Sequence, residues 1–221
     1  MASDSVHSRS AVQGKPHSAF YHTVRALLRN KFSLCGLIIL GIAIVLAVLA
    51  PWISPQNPYD LSQLDIMDGR LKPGTTSMSG MIYWLGTDDQ GRDLLSAILY
   101  GTRTSLLVGV SSAMIALTIG AALGLISAYV GGKTDALIMR IVDIQLSFPP
   151  ILIALILLAA LGQGVDKIIL ALVVTQWAYY ARTIRGSALL ERRRSYVDAA
   201  RSMALSSPRI LFRHILPNCL P

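Results

Sequence analysis

Charged residues are scarce in this chain of 221 residues, at 14% of the sequence, whereas hydrophobic residues make up 53%. Soluble domains carry about 25% charged residues, so the composition excludes an ordinary soluble fold and predicts an integral membrane protein. The chain has only two cysteines, Cys35 and Cys219, which do not suggest a disulfide framework. Its four histidines lack zinc-ligand spacing, so neither a metal site nor a cofactor is expected.

The net charge of +8 is concentrated in two basic blocks that flank apolar sequence. Residues 1–31 carry five basic residues against Asp4, and residues 182–213 carry eight arginines against two acidic residues. The positive-inside rule places such blocks in the cytoplasm, so we predict a cytoplasmic N-terminal tail at 1–31. Neither block alternates with aromatic residues, so nucleic-acid binding is not expected.

Apolar runs predict four transmembrane helices, at 32–53, 104–130, 144–165 and 167–185. The first run is not a signal peptide, because more than thirty mostly polar residues precede it. The segment between the first two spans, 54–103, has a small negative net charge and is predicted to be periplasmic. The fourth run is short, and snorkelling of Lys167 and Arg182 is needed for it to cross.

Two features inside the spans have a structural and a functional interpretation. Pro149 and Pro150 should kink the third span, because each lacks a backbone donor; a pore-lining role is the alternative to a packing kink. Gly120 and Gly124 form a G-x-x-x-G pair that predicts close helix packing, either within this bundle or with a partner subunit.

The run Gly132-Lys133-Thr134 ends like a phosphate-binding loop but lacks the first glycine of that motif and follows an apolar span. Nucleotide binding is therefore not expected.

The predicted periplasmic segment contains the run Leu-Gly-Thr-Asp-Asp-Gln-Gly-Arg-Asp, which ends at Asp93. Its carboxylates lack the alternating spacing of a calcium loop. We expect a turn followed by a helix N-terminus that Thr87 or Asp88 caps, with Arg92 paired to a carboxylate. The candidate residues of this glycine-aspartate loop are Gly86, Thr87, Asp88, Gly91, Arg92 and Asp93.

The polar and basic stretch 195–217 predicts two short helices. Ser195 and Asp198 form a capping box, so a first helix should begin at Tyr196. Ser207 and Pro208 should start a second helix that ends before Pro217. Taken alone, this stretch is also typical of an amphipathic helix on lipid headgroups.

The same stretch resembles the Glu-Ala-Ala loop of binding-protein-dependent ATP-binding-cassette (ABC) importer permeases, and the spacing matches throughout. Three residues differ from that pattern: aspartate replaces glutamate, alanine replaces glycine, and His214 stands at an apolar position. In the family this loop is cytoplasmic and docks into the ATPase subunit. The resemblance therefore implies a coupling loop at 195–217, whose candidate residues are Asp198, Ala199, Ala200, Arg201, Ala204, Leu216 and Pro217.

The glycine-aspartate loop and the Asp-x-x-x-Ser-Phe-Pro run at Asp143 to Pro149 are similar to the oligopeptide/dipeptide branch of the family. The resemblance implies an all-α, multi-pass permease of the bacterial inner membrane that performs no chemistry itself. Its expected partners are a second permease, two ATPase subunits, a periplasmic substrate-binding protein and membrane lipid. Nickel or another small solute is the alternative to a peptide substrate.

Members of that family continue through two further spans after the Leu-Pro pair, so a permease core at 104–221 would be C-terminally truncated. Under this interpretation, the fold is a type I importer permease without its last two helices. A membrane remnant that does not transport is the second hypothesis. A membrane enzyme is disfavoured, because the acid and base residues are scattered and no nucleophile stands next to a base.

Overall fold

A computed structural model describes residues 28–77, 80–203, 205–206 and 209–219, except the side chains of Arg201, Phe212, His214 and Asn218. Most of the tail predicted at 1–31 lies outside the described residues. The chain divides into two units, 1–100 and 101–221. The boundary falls inside one long helix.

The first unit begins with helix α1, Lys31–Ile53, whose N-cap Asn30 accepts a hydrogen bond from the Phe32 amide at 3.0 Å. Only Ala47 and Ala50 of α1 are buried, as expected of a helix that faces lipid. Two 3₁₀ turns follow, at Leu61–Gln63 and Ile66–Asp68. A short antiparallel hairpin pairs β1 (Thr75–Thr76) with β2 (Ile82–Tyr83), in the register Thr75 to Tyr83 and Thr76 to Ile82.

Every secondary-structure element in the described part of the second unit is a helix. Its elements are α2 (Leu94–Val130, which starts in the first unit), α3 (Gly132–Ser147), α4 (Pro150–Leu161), α5 (Val165–Glu191), α6 (Ser195–Ser202), a π-helix (Ile210–Ile215) and α7 (Leu216–Cys219).

The helix bounds differ from the predicted spans at three places, and the simplest difference is that α5 extends the fourth span, predicted at 167–185, to Val165–Glu191. Helix α2 begins at Leu94 instead of 104, because Asp93 caps it and the polar residues after Asp93 continue the helix. The predicted span at 144–165 contains the last residues of α3 and all of α4, and these two helices are bent by 87°. Pro149 is the N-cap of α4 and Pro150 its first residue, so the break follows from the two missing backbone donors.

Among the described residues, α1 and α2 are long and apolar enough to cross a membrane, and the bent pair α3 and α4 would be a third span if it is counted as one. Helix α5 occupies the fourth predicted span but does not reach the same apolarity, since charged residues lie at both of its ends. The apolar segments of the described chain are thus all α-helical, and two or three of them are candidate membrane spans.

The G-x-x-x-G pair packs within this chain, against α5. A β-carbon added at Gly120 would lie 2.6 Å from the Trp177 carbonyl oxygen, and one added at Gly124 would lie 2.5 Å from the Ala181 carbonyl oxygen. Helices approach this closely only where no side chain intervenes. Of the two interpretations of the pair, the structure supports bundle packing.

Replacement of Gly124 by valine should destabilise the second unit, because the new side chain collides with the α5 backbone. Overpacking of this kind costs about 1–3 kcal/mol. Gly109→Val is the matched control, since a β-carbon at Gly109 meets nothing within 4 Å. Thermal unfolding in detergent should show a lower midpoint for Gly124→Val than for Gly109→Val, and equal midpoints would contradict the packing.

Candidate functional site

The apolar face of helix α6 belongs to a buried cluster near the C-terminal ends of α2 and α5. Val197 is fully buried and Ala200 is 5% exposed. They belong to a buried cluster whose other members come from α2, α5, the π-helix and α7: Leu125, Ala128, Ile184, Ala188, Ile210, Leu211, Ile215 and Cys219. The two buried residues of α6 are three positions apart, which is the spacing of an amphipathic helix that packs on a core.

The opposite face of α6 is open. Asp198, Ala199 and Ser202 are exposed, and Met203, just past the helix, is 73% exposed. The two alanines of the Asp-Ala-Ala run therefore differ: Ala199 offers a surface to a partner, whereas Ala200 is part of the chain's own core. Arg201 lies in α6, its side chain is outside the described residues, and Ala204 is outside them altogether.

The second predicted helix does not end before Pro217. The chain is helical from Arg209, and α7 contains both the half-buried Leu216 and the exposed Pro217. The preceding turn is a π-helix in which the Leu216 amide donates to the Leu211 carbonyl, five residues back. This wider turn moves the carbonyls away from the proline ring, which would clash in a regular α-helix. Ser207 and Pro208, its predicted start, lie outside the described residues.

Polar contacts fix the connection between α5 and α6. Arg192 donates from Nη1 to the Ala128 carbonyl oxygen at 2.8 Å, near the C-terminal end of α2. The Tyr196 hydroxyl donates to Glu191 Oε2 at 2.7 Å, and the Arg194 guanidinium lies 3.5 Å from the same carboxylate. Arg192 thus satisfies a free carbonyl of a helix end, a role that the sequence pattern did not reveal.

The glycine-aspartate loop, residues 86–93, ends at the true N-cap of α2, which is Asp93. Its Oδ2 accepts from the Ser96 amide at 2.8 Å and from the Ser96 hydroxyl at 2.5 Å. The predicted caps, Thr87 and Asp88, lie in the preceding turn instead. Gln56 joins this helix start to the segment after α1, because its Oε1 accepts from the Asp93 amide at 2.7 Å.

The expected pairing of Arg92 with a carboxylate is present. Arg92 Nε lies 2.7 Å from Asp88 Oδ2, and Asp88 Oδ1 accepts from the amides of Arg92 and Gln90. Desolvation acts to raise the pKa of Asp88, but the hydrogen bonds from the two amides and the guanidinium outweigh it and lower the pKa below the ordinary 3.8.

Buried polar residues hold the rest of the loop. Asp68 is 4% exposed and its Oδ2 accepts from the hydroxyls of Ser77 at 2.5 Å and Tyr83 at 3.0 Å. The Thr87 hydroxyl donates to the Asp68 carbonyl and accepts from the Leu71 amide at 2.8 Å. Within the described part of the chain, no three histidine, cysteine or acidic side chains converge as metal ligands.

Two glycines of the loop permit its closed turns. Gly86 and Gly91 have φ angles of +80° and +73°. A β-carbon would lie 2.4 Å from the Leu71 carbonyl oxygen at Gly86, and 1.9 Å from that of Asp65 at Gly91. Both the backbone angle and the close approach require glycine at these positions.

Helices α3 and α5 are joined by ion pairs that the sequence alone assigned differently. Helical spacing alone would pair Asp143 with Arg140, three residues earlier on α3, but its partner in the structure is Arg182 of α5. Asp135 of α3 accepts two hydrogen bonds from Arg185 of α5, at 2.5 and 2.6 Å. Neither pair follows from helical periodicity, because each crosses between elements.

Comparison with known proteins supplies two family matches. Residues 120–221 match the model of the binding-protein-dependent transport system inner membrane component. Residues 18–73 match that of the N-terminal transmembrane domain of oligopeptide transport permease C. Together the two matched ranges include the predicted coupling loop and α1.

Individual relatives align over most of this chain. It is 36% identical over 198 residues to the oligopeptide transport system permease protein OppC of Bacillus subtilis, covering 88% of this chain and 62% of that protein. It is 34% identical over 212 residues to the di/tripeptide transport system permease protein DppC of Pseudomonas aeruginosa, covering 96% and 68%. It is 39% identical over 175 residues to the glutathione transport system permease protein GsiD of Pectobacterium atrosepticum, covering 79% and 56%. The chain thus spans 62% of the length of the first relative, 68% of the second and 56% of the third.

The loop geometry predicts a large difference between two glycine substitutions. Gly91→Ala should open the loop, because it combines the positive φ with the collision at Asp65. Gly74→Ala is the matched control, since Gly74 has φ +82° with nothing within 4 Å of a β-carbon. The control carries only the strain of the backbone angle, about 1–2 kcal/mol. Amide hydrogen exchange over 56–93 should rise more in Gly91→Ala, and similar exchange in both variants would contradict the close approach.

Acidification should loosen the same loop through Asp88. A carboxyl whose pKa is lowered by folding stabilises the folded state above its unfolded pKa of 3.8, and this contribution is lost as pH falls through the lower folded pKa. Exchange protection of the Gln90 and Arg92 amides, corrected for intrinsic rates, should therefore decrease below that pH. The Asp88→Asn variant should start from lower protection and lack this pH dependence; an unchanged pH profile in the variant would exclude Asp88 as the cause.

Proposed function

Since the chain belongs to the family of binding-protein-dependent transport system inner membrane components, we propose that it is the membrane-spanning permease subunit of an ATP-driven importer of di- or oligopeptides. The observation that carries the proposal is the two-sided construction of α6. One face is part of the core, and the other is exposed.

The exposed face fits a docking role. Asp198 and Ala199 are exposed side by side, the small alanine would let another protein approach the helix backbone, and Met203 adds an exposed flexible apolar side chain. A surface that served only lipid headgroups would instead present large apolar residues flanked by cations. The ATPase subunit is the proposed partner of this face.

The buried face provides the mechanical connection. Val197 and Ala200 share one buried cluster with Leu125 of α2 and Ile184 of α5, so a displacement of α6 would press on the ends of both long helices. Arg192 and Tyr196 add directional hydrogen bonds at the same junction. Closure of the ATPase pair would thus reach the membrane helices as a push on their ends.

The proposed topology has four spans, α1, α2, the broken pair α3 and α4, and α5, with the N-terminus in the cytoplasm. This places α6 and residues 1–31 on the same cytoplasmic side, as their arginines and lysines favour. It places the glycine-aspartate loop on the periplasmic side, where a substrate-binding protein would approach. Pro149 and Pro150 form the one break in the proposed third span.

The proposed complex contains this chain, a second permease, two ATPase subunits that hydrolyse ATP and a periplasmic substrate-binding protein. A peptide substrate is supported by the names of the relatives, which transport oligopeptides, di- and tripeptides or glutathione. The permease itself contributes no catalytic residue to the proposed mechanism, which is alternating access driven by the ATPase.

The docking face predicts a selective loss of ATPase binding. Ala199→Trp should abolish co-purification of the ATPase subunit while the chain remains folded, because Ala199 is exposed and the new ring blocks the close approach. Ala160→Trp on the exposed surface of α4 is the matched control and should leave ATPase binding unchanged. Co-purification from detergent extracts, with thermal unfolding of each variant, measures both properties.

A substitution at Ala200, the buried neighbour of Ala199, distinguishes an effect on docking from an effect on folding. Ala200→Glu should lower the unfolding midpoint as well as ATPase binding, since it places a charge in the core at a cost of several kcal/mol. If Ala199→Trp binds the ATPase as well as the unaltered chain does, the proposed docking face is excluded.

A further inference from the structure

Helices α3 and α5 run antiparallel, and both polar and apolar contacts join them along their interface. At one end Asp135 is bound by Arg185 through two hydrogen bonds, and Ser127 of α2 donates to the same carboxylate. Farther along α3, Asp143 pairs with Arg182. At the other end the Gln145 side-chain amide donates to the Val174 carbonyl at 3.1 Å. We call these three contacts the α3–α5 ladder.

Between the polar contacts the interface is tightly closed. Val142 of α3 and Ala178 and Ala181 of α5 are all completely buried, with Met139, Leu146 and Trp177 packed around them. The small residues of α5 bring the two helices close together. Sliding or rotating one helix on the other would therefore break the apolar contact and the polar contacts simultaneously.

The ladder has the geometry of a rigid link. The Asp135–Arg185 pair is bidentate and its side chains are only 22% and 29% exposed, so it is far less screened than a surface pair. Gln145 reaches a carbonyl inside the continuous helix α5, so it adds a directional contact at the end where α3 stops. Arg182 and Arg185 lie within one turn of α5, and Val174 lies about two turns before them, so the contacts hold α3 at two separate places along α5.

The ladder lies between the junction of α5 with α6 and the break that separates α3 from α4. The same stretch of α5 that carries Arg182 and Arg185 continues to Glu191 and the α6 junction. Helix α3 ends at Ser147, immediately before the 87° break at Phe148 and Pro149. A displacement received by α6 thus has a stiff path along α5 and across the ladder to the broken span.

We propose that Asp135, Arg185, Asp143, Arg182 and Gln145 are positioning residues that make α3 and α5 one rigid body, which transmits the movement of α6 to the break at Phe148–Pro149. This inference rests on the proposed function and adds the path by which the docking signal reaches the membrane. It predicts that loss of the ladder leaves ATP hydrolysis and subunit assembly in place but separates hydrolysis from transport.

The test uses the complete importer in proteoliposomes, with a radiolabelled dipeptide as the probe. Arg185→Gln should lower the ratio of dipeptide transported to ATP hydrolysed by about fivefold, the size expected when a coupling contact is removed. The exposed pair of Lys167 and Asp166 offers a matched control, because Asp166→Asn also removes one member of an ion pair, keeps Lys167 and lies outside the ladder. Its ratio should equal that of the unaltered importer.

A charge exchange distinguishes pairing from general damage. Asp135→Arg combined with Arg185→Asp should restore most of the ratio, whereas Asp135→Arg alone should not. If the exchange fails to restore the ratio although the importer assembles normally, the ion pair is not the link.

A distance measurement tests the rigid body without relying on the ratio. Spin labels at Leu137→Cys on α3 and Leu190→Cys on α5 occupy exposed positions, in a chain whose exposed Cys35 is replaced by alanine. Their distance distribution should be the same with and without ATP, and Arg185→Gln should broaden it. Dipeptide uptake accompanied by an ATP-dependent change of this distance would overturn the ladder, whereas absence of uptake by the unaltered importer would overturn the proposed function.

Discussion

The close contact between α5 and α2 is the constraint on which the second unit depends. Gly120 and Gly124 let the α5 backbone approach α2 so closely that no side chain could stand between them. With α5 packed against α2, other faces of α5 contribute to the apolar clusters that contain residues of α3 and of α6. The buried alanines Ala178, Ala181 and Ala188 show the consequence, since each lies where a larger residue would force a neighbouring element away.

Helix α5 consequently has two kinds of neighbour. At its C-terminal end it carries the apolar cluster that seats α6, together with Arg192, whose guanidinium closes the end of α2. Along its middle it holds α3 through apolar contacts and ion pairs. In a membrane environment, paired charges next to small apolar residues keep helices in one register, because separating the charges would leave them unsolvated. The proposed coupling mechanism depends on that stiffness.

The first unit solves a different problem, which is to close a polar loop between two apolar helices. Asp68, Asp93 and Gln56 are buried, and backbone amides and hydroxyls satisfy most of their polar atoms. Gly91 permits the final turn, and Asp93 then caps α2. The loop is therefore an ordered element whose main role in the structure is to define where α2 begins.

The sequence by itself determined the membrane class, the family, the break at the two prolines and the pairing of Arg92, because composition and local spacing carry these properties. Only the tertiary structure decided that Ala200 is core while Ala199 is surface, that Asp143 pairs with Arg182, and that α2 begins at Leu94, directly after its cap Asp93. Helical periodicity can show that one face of a segment is apolar, but it cannot show which element covers that face. Ion pairs between helices likewise depend on the register of two elements far apart in the chain, and packing of Val142 against Ala178 and Ala181 sets that register for α3 and α5.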